Sequence, residues 1–497
     1  LFRINRMQNI GSRNLHKTGN LFSFLLLFMG AMFGILIGFS IQMLGPLIAS
    51  IVIPGIIIMT VVLFKAPEYG ILILLIFVSG ILPNTLNPFI NLGFGNFQVS
   101  DIILISLLVV VMLKLIFQSD FSFHKTPLDL PVLLFCIAVV IGIGTAVINH
   151  GIRFSYTTYD ARILLHYSLF FAVTNLIRTK SQLMRLLRGF ILIGIFVALL
   201  IFFQALLGNT FQLVSSEYFK ESAVLRAYHP GFVVVFIILM VIISLLTISH
   251  TTLPIRITYF IVLLIMGLAV LFSLTRNVIV STALSIIVLF ILLRGMQLSR
   301  LVMSLIVLGM VVIAGFTVLT LVNPESVVLA YPSSIMQRFS NLFSVEGLSG
   351  ESNLYWRFFE LRFAWEKVVE NPMWGIGLHT NYRPPFIGED APANFIHNGY
   401  MMVWLKTGLI GLIAFLWFII LFQARGFRLW ARVHDDFLQA TALGFSLVFF
   451  AMMFSNWVAP LFVENFNLAF FAAMMGINEV IFSLNSLKDQ TEPAVPV

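Results

Sequence analysis

Residues 257–293 read ITYFIVLLIMGLAVLFSLTRNVIVSTALSIIVLFILL. About 20 helical residues are enough to cross the roughly 30 Å of hydrocarbon in a bilayer, so this run is far too long for one crossing. The polar island Ser273-Leu274-Thr275-Arg276-Asn277 divides it into two lengths of crossing size. The chain must turn there and re-enter, which makes it a polytopic membrane protein.

Working outward, similar apolar runs recur from Phe22 almost to the C-terminus. Of the 497 residues, 60% are hydrophobic and 10% charged, against roughly 25% charged in soluble domains. The expected spans are 22–40, 43–64, 68–82, 101–118, 130–148, 163–177, 189–207, 229–248, 256–273, 277–293, 301–322, 396–422, 437–457 and 466–483. The fold class expected is therefore all-α, a transmembrane helix bundle of about fourteen spans.

The net charge of +8 suggests nucleic acid at first sight, but the basic residues are scattered through short loops, as the topology rule of membrane proteins requires. With the N-terminus inside, most of the 29 lysines and arginines fall on the cytoplasmic side, among them Arg3, Arg6, Arg13, Lys17, Lys65, Lys114, Arg178, Arg185, Arg256, Arg300, Arg425 and Arg432. The run after the basic first 20 residues is too long for a signal-peptide core and reads as an uncleaved first span. The single cysteine, Cys136, lies in an apolar run with no partner for a disulfide. This organisation comprises a cytoplasmic N-terminus at 1–21, a transmembrane domain at 22–322, a large periplasmic loop at 323–395, C-terminal spans at 396–483 and a cytoplasmic tail at 484–497.

Such a long polar loop late in a membrane chain is where function is expected. Residues 353–370 (NLYWRFFELRFAWEKVVE) have helical periodicity, a capping signal at Ser352 or Asn353, and a stop at Asn371-Pro372. On a helical wheel Leu354, Leu361, Ala364, Trp365 and Val368 share an apolar face, opposite Glu360, Arg362, Glu366, Lys367 and Glu370. Arg357 falls within the apolar face and is expected to point into a cavity of the membrane domain, because a surface-lying helix excludes a cation from that stripe.

Three residues carry the expected chemistry. Arg276 lies at the start of a new helix, where free backbone N–H groups and the guanidinium together suit a phosphate; a snorkelling interfacial arginine or a structural ion pair is the alternative. Arg357 is the second cation for a diphosphate, or else the partner of a membrane-domain carboxylate. His397, in Asn394-Phe395-Ile396-His397-Asn398-Gly399-Tyr400, belongs to the residue type suited to proton transfer near neutrality, or else it caps the following span. Arg162, Arg226, His229 and Tyr400, placed near the outer surface, are weaker candidates, for which a structural role is the main alternative. The loop acids Glu351, Glu360 and Glu366 read as solvated helix-surface groups, and Gly408 and Gly411 as helix-packing glycines. His379 and His397 lie apart with no carboxylate cluster, so neither metal nor cofactor is expected.

The LTRN turn is followed in order by Trp356-Arg357 and Trp365, Glu370-Asn371-Pro372-Met373-Trp374-Gly375-Ile376-Gly377, His397-Asn398, and Lys406-Thr407-Gly408-Leu409-Ile410-Gly411. Over roughly Leu271 to Phe422 this resembles the O-antigen ligase and O-antigen polymerase superfamily, with its pattern R…W…NPxxGxG…HN…GxxG. The resemblance implies an inverting, metal-independent glycosyltransferase of the bacterial inner membrane, with both termini cytoplasmic and the active site periplasmic. Its implied donor is a saccharide on a polyprenyl (undecaprenyl) diphosphate. Its implied acceptor is a glycan of surface polysaccharide, either lipid A core or another lipid-linked repeat. By the same resemblance Arg276 and Arg357 match the essential arginines and His397 the loop-end histidine, while Thr275 stands where a serine is usual. Thr275, Asn398 and Tyr400 are then expected to bind substrate, and Arg162 and Arg226, upstream of Leu271 where the similarity is of topology alone, join them by their place near the outer surface. A polymerase of the same superfamily and a flippase of lipid-linked oligosaccharides are the competing readings; a flippase would place ionisable residues at mid-membrane, where only Lys406 is a case.

Overall fold

The computed structural model describes residues 62–82, 87, 89–91, 96–208, 215–218, 224–343, 352–384 and 393–491. The basic N-terminus, the expected spans 22–40 and 43–64 (the latter apart from its last three residues), Glu351 and the last six residues of the C-terminal tail lie outside these residues. In chain order the helices are α1 (Pro67–Val78), α2 (Val99–Phe117), α3 (Asp129–His150), α4 (Phe154–Leu165), α5 (Leu169–Leu176), α6 (Lys180–Leu207), α7 (Phe232–Ile248) and α8 (Leu253–Phe272). They continue with α9 (Arg276–Leu292), α10 (Met296–Val322), α11 (Tyr331–Phe343), α12 (Ser352–Glu370), α13 (Gly399–Leu429), α14 (Asp436–Ser455) and α15 (Asn465–Thr491). Among the described residues, two short antiparallel hairpins, β1 (Ile90–Asn91) with β2 (Asn96–Phe97) and β3 (Ser215–Tyr218) with β4 (Leu225–Tyr228), depart from the all-α pattern.

Among the described residues eight helices are long and apolar enough to cross a membrane: α2, α3, α6, α8, α10, α13, α14 and α15. Three shorter apolar helices, α1, α7 and α9, accompany them. The expected span 163–177 is replaced by a broken element. Helix α4 begins earlier, at Phe154, and a 3-10 turn at His166–Ser168 separates it from α5. The break is pinned from outside, because the Tyr167 hydroxyl donates to the Phe462 carbonyl at 2.9 Å.

Helix α7 occupies the centre, with every residue from Phe232 to Ile248 buried. It packs on α14, α8, α6 and α10. A helix that is apolar all round can only be stable with neighbours or lipid on every side. Helix α10 is the opposite case: only Leu301 and Ser304 are buried, so its apolar surface faces outward.

Charged pairs occur inside the bundle among the described residues. The fully buried Glu68 of α1 meets Arg185 of α6 at 2.6 Å. Arg425 of α13 and Glu479 of α15 form a bidentate pair, both bonds 2.8 Å. Burial makes a lone charge costly, and a hydrogen-bonded partner offsets that cost.

Candidate functional site

The stretch after α12 explains the glycine-rich motifs. Asn371 and Pro372 end the helix, and after the exposed Met373-Trp374 the irregular backbone of residues 375–380 is buried between α3 and α13. Backbone at that depth needs partners from the protein itself. Ile376 N–H donates to the Leu405 carbonyl at 2.8 Å, and Leu378 N–H to the Gly142 carbonyl at 3.1 Å. The Pro372 carbonyl accepts from Leu409 N–H at 2.9 Å and from the Trp404 indole at 3.1 Å. The buried Lys406 ammonium donates to the Thr380 carbonyl at 2.6 Å.

Two glycines make this close approach possible. Gly377 has φ +83°, and a Cβ there would lie 2.7 Å from Ala146 Cα on α3. Gly408 has φ +69° and kinks α13 where the Met373-Trp374 backbone presses against it. Gly408 therefore accommodates a loop rather than a neighbouring helix, which corrects the packing role expected for it. Gly411 does face a helix, with Ala138 of α3 3.3 Å from its would-be Cβ.

This inserted segment and α12 enclose a buried charged cluster. Glu360 is fully buried, which overturns its reading as a solvated surface acid. Its Oε2 accepts from the His397 backbone N–H at 2.9 Å and from His397 Nδ1 at 2.8 Å. Its Oε1 faces Arg383 Nη2 at 3.8 Å, with both side chains wholly buried. The Arg383 guanidinium lies over the Trp356 ring, 4.4 Å from its centroid. Among the described side chains of α12 the buried ones are Trp356, Glu360, Ala364 and Val368, an i, i+4 series. The true inward face is thus rotated toward Trp356 from the one expected, and Trp365 is about half exposed. Glu360 was legible as a member of that series. Arg383, outside every motif, carried no sequence signal beyond its place before Pro384.

A carboxylate only accepts hydrogen bonds, so the proton between it and His397 belongs to Nδ1. In the neutral imidazole that leaves Nε2 of the half-buried ring as the acceptor for a ligand. The phenol of Tyr382 donates to the Phe395 carbonyl at 3.0 Å, and burial, followed by the Glu360 charge, pushes its pKa up. Glu464, half-buried just before α15, is a second carboxylate within electrostatic reach of His397.

At the LTRN turn Leu274 takes a left-handed φ of +47° and Thr275 is the N-cap of α9. Arg276 is the first helical residue, half-buried beside the open N–H groups of the first turn. The Thr275 hydroxyl donates to the Ser273 carbonyl at 3.1 Å, and Arg226 Nε reaches the same carbonyl at 3.4 Å. His229 is buried, with Nδ1 accepting from Gly231 N–H at 3.0 Å. Farther along α9, Ser281 Oγ meets Ser455 Oγ at 2.6 Å, and the adjacent Asn456 carbonyl accepts from Gly399 N–H at 2.9 Å. Helix α9, five residues after Arg276, and the start of α13, two residues after His397, thus both contact the end of α14.

Of the remaining candidates, Arg357 is half-buried on α12, an i, i+3 neighbour of Glu360. The Asn398 side chain caps α13 by accepting from Met401 N–H at 2.9 Å, and the Tyr400 hydroxyl donates to the Met453 carbonyl at 2.7 Å. Arg162 is buried, bonding Gln98 at 2.8 Å and Asp101 at 3.2 Å. Among the described residues no group of three His, Cys, Asp or Glu side chains gathers where a metal ion could be held.

No curated relative matches the chain. Residues 261–416 match the family model described as O-antigen ligase, from α8 through the LTRN turn, α12, the inserted segment and His397 into α13. That match supports the resemblance carried by the ordered motifs: this segment of a multi-helix membrane protein is similar to the O-antigen ligase and polymerase superfamily.

Proposed function

We propose that the protein is a membrane glycosyltransferase that moves a saccharide from a polyprenyl-diphosphate donor to an acceptor sugar during surface polysaccharide assembly, as an O-antigen ligase does. The observation that carries this reading is the buried Glu360 carboxylate holding His397 Nδ1 at 2.8 Å inside the family-matched segment. In this reading about fourteen spans place 323–395 outside the cytoplasmic membrane, with both termini inside.

His397 Nε2 accepts the proton of the acceptor hydroxyl as its oxygen attacks the anomeric carbon. The bond to the diphosphate breaks on the opposite face, so the configuration inverts. Negative charge grows on the departing diphosphate, where Arg276, Arg357 and the first-turn N–H groups of α9 stabilise it without a metal. Thr275 and Arg226 border the same turn and hold the leaving group's surroundings in place.

The test is reconstitution in vesicles with purified polyprenyl-diphosphate-linked saccharide and either lipid A core or a second lipid-linked repeat. A single transfer to lipid A core supports a ligase, and a ladder of repeats a polymerase. Arg276→Ala and Arg357→Ala are expected to insert normally and to lower transfer by about two orders of magnitude each, the usual cost of removing a transition-state donor. In cells the donor then accumulates on the outer face. Accumulation on the cytoplasmic face would overturn the enzyme reading in favour of a flippase.

A further inference from the structure

A second polar cluster lies beside the first and has no part in the chemistry above. His379 sits on the inserted segment in a left-handed conformation, φ +60°. Its Nδ1 faces two groups at once, Asp160 Oδ1 at 3.3 Å and Asn394 Nδ2 at 3.1 Å. One ring nitrogen either donates to the carboxylate or accepts from the amide; it cannot do both. Whichever partner it takes, the other keeps hydrogen-bonding capacity for a third party. The cluster is open to receive one, because the His379 side chain is 32% exposed and that of Asp160 18%.

Aromatic rings flank these polar groups. Tyr156 stacks on the His379 ring, with centroids 5.3 Å apart and planes 12° from parallel. Tyr156, Tyr159 and Asp160 occupy i, i+3 and i+4 of α4 and so share one face. Tyr159 in turn packs on Phe89 at 5.7 Å, and all three rings are substantially exposed. Interfacial tyrosines are common in membrane proteins as a belt. A belt does not require a carboxylate, an imidazole and an amide converging behind the ring. That combination, a few fixed polar groups beside aromatic surface, is how proteins orient polyhydroxylated ligands.

The position also fits. Asn394 is three residues before His397, at most about 10 Å of chain, and the Phe395 ring packs on His397 at 5.1 Å. The segment bearing His379 is anchored by the Lys406–Thr380 bond and by Leu378 N–H on Gly142. The carboxylate of Asp160 repels a diphosphate and attracts hydroxyl donors.

We infer that Tyr156, Asp160, His379 and Asn394 form a saccharide subsite that holds the acceptor glycan, its hydroxyls bonded to the Asp160 carboxylate and the Asn394 amide and its ring against Tyr156. The inference rests on the glycosyl-transfer reading. It is tested in the reconstituted system with whichever of lipid A core or the lipid-linked repeat supports wild-type transfer. Asp160→Asn and Tyr156→Ala are expected to raise the KM for that acceptor about tenfold, as the loss of one charge-assisted hydrogen bond or one stacking surface does. The KM for the donor stays at its wild-type value, and Tyr156→Phe retains the wild-type KM for both. Tyr156 is half exposed, so its replacement leaves folding intact even where Asp160→Asn disturbs Lys406. An unchanged acceptor KM in Tyr156→Ala, or a rise in donor KM instead, overturns the subsite while leaving transfer established. Absence of transfer to either acceptor by the wild-type protein overturns the glycosyl-transfer reading itself.

Discussion

His397 can act as a base only if its ring is held in one tautomer and one orientation, and Glu360 supplies both constraints through Nδ1 and the backbone N–H. Replacing Glu360 by Gln keeps the volume but removes the charge that orients the imidazole. Transfer is expected to fall at least about tenfold, and His397→Ala to lower it by about 10²–10⁴. The two effects should not add in the double variant, because both act through the same ring; additive losses measured in reconstituted vesicles would separate the two residues.

Glu464 presents a second residue-scale effect. Burial raises its carboxyl above the ordinary range, with the Asn467 hydrogen bond the largest effect opposing it. Between the ordinary value, about 4.3, and the raised one, the folded chain keeps a proton that the unfolded chain has lost. Stability therefore decreases as pH rises through that window. Glu464→Gln is expected to flatten this part of the profile, measured as thermal unfolding in detergent from pH 4 upward. An unaltered slope would rule the linkage out.

At the scale of elements, the inserted segment is the part most sensitive to small changes. Gly377→Ala adds a Cβ 2.7 Å from Ala146 Cα at a φ that favours glycine. A loss of about 1–3 kcal/mol is expected, together with loss of transfer, because the same segment carries Thr380, Tyr382 and Arg383. Gly267→Ala on α8, where a Cβ meets nothing within 4 Å, is the control and should gain about 0.5–1 kcal/mol. Equal melting temperatures for the two variants would show that the segment is not tightly held.

For the whole molecule the decisive property is orientation. In a Cys136→Ser background, Glu366→Cys on α12 is expected to react with a membrane-impermeant maleimide in intact spheroplasts. Lys180→Cys, at the start of α6, is expected to react only after the membrane is opened. Both positions are exposed, with side chains 51% and 61% accessible. The reverse pattern would turn the protein over and remove the periplasmic assignment of the site.

Hydropathy and charge placement by themselves determined that this is a multi-helix membrane chain, because the cost of burying backbone and charge in hydrocarbon is written residue by residue. The same local logic placed a helix at 353–370, within one residue of α12, the turn at Arg276, and a new span from 396, three residues before α13 begins. Tertiary structure alone decided which groups face one another. Glu360 lost its apparent solvent face when α12 turned its Trp356 side inward, and Arg383 joined Glu360 from 23 residues away. The break between α4 and α5 is set by the Tyr167 bond to Phe462, nearly 300 residues distant. An amino-acid pattern records what a residue prefers as its environment, whereas the pairing of two buried polar groups depends on helix rotation and on segments far apart in the chain.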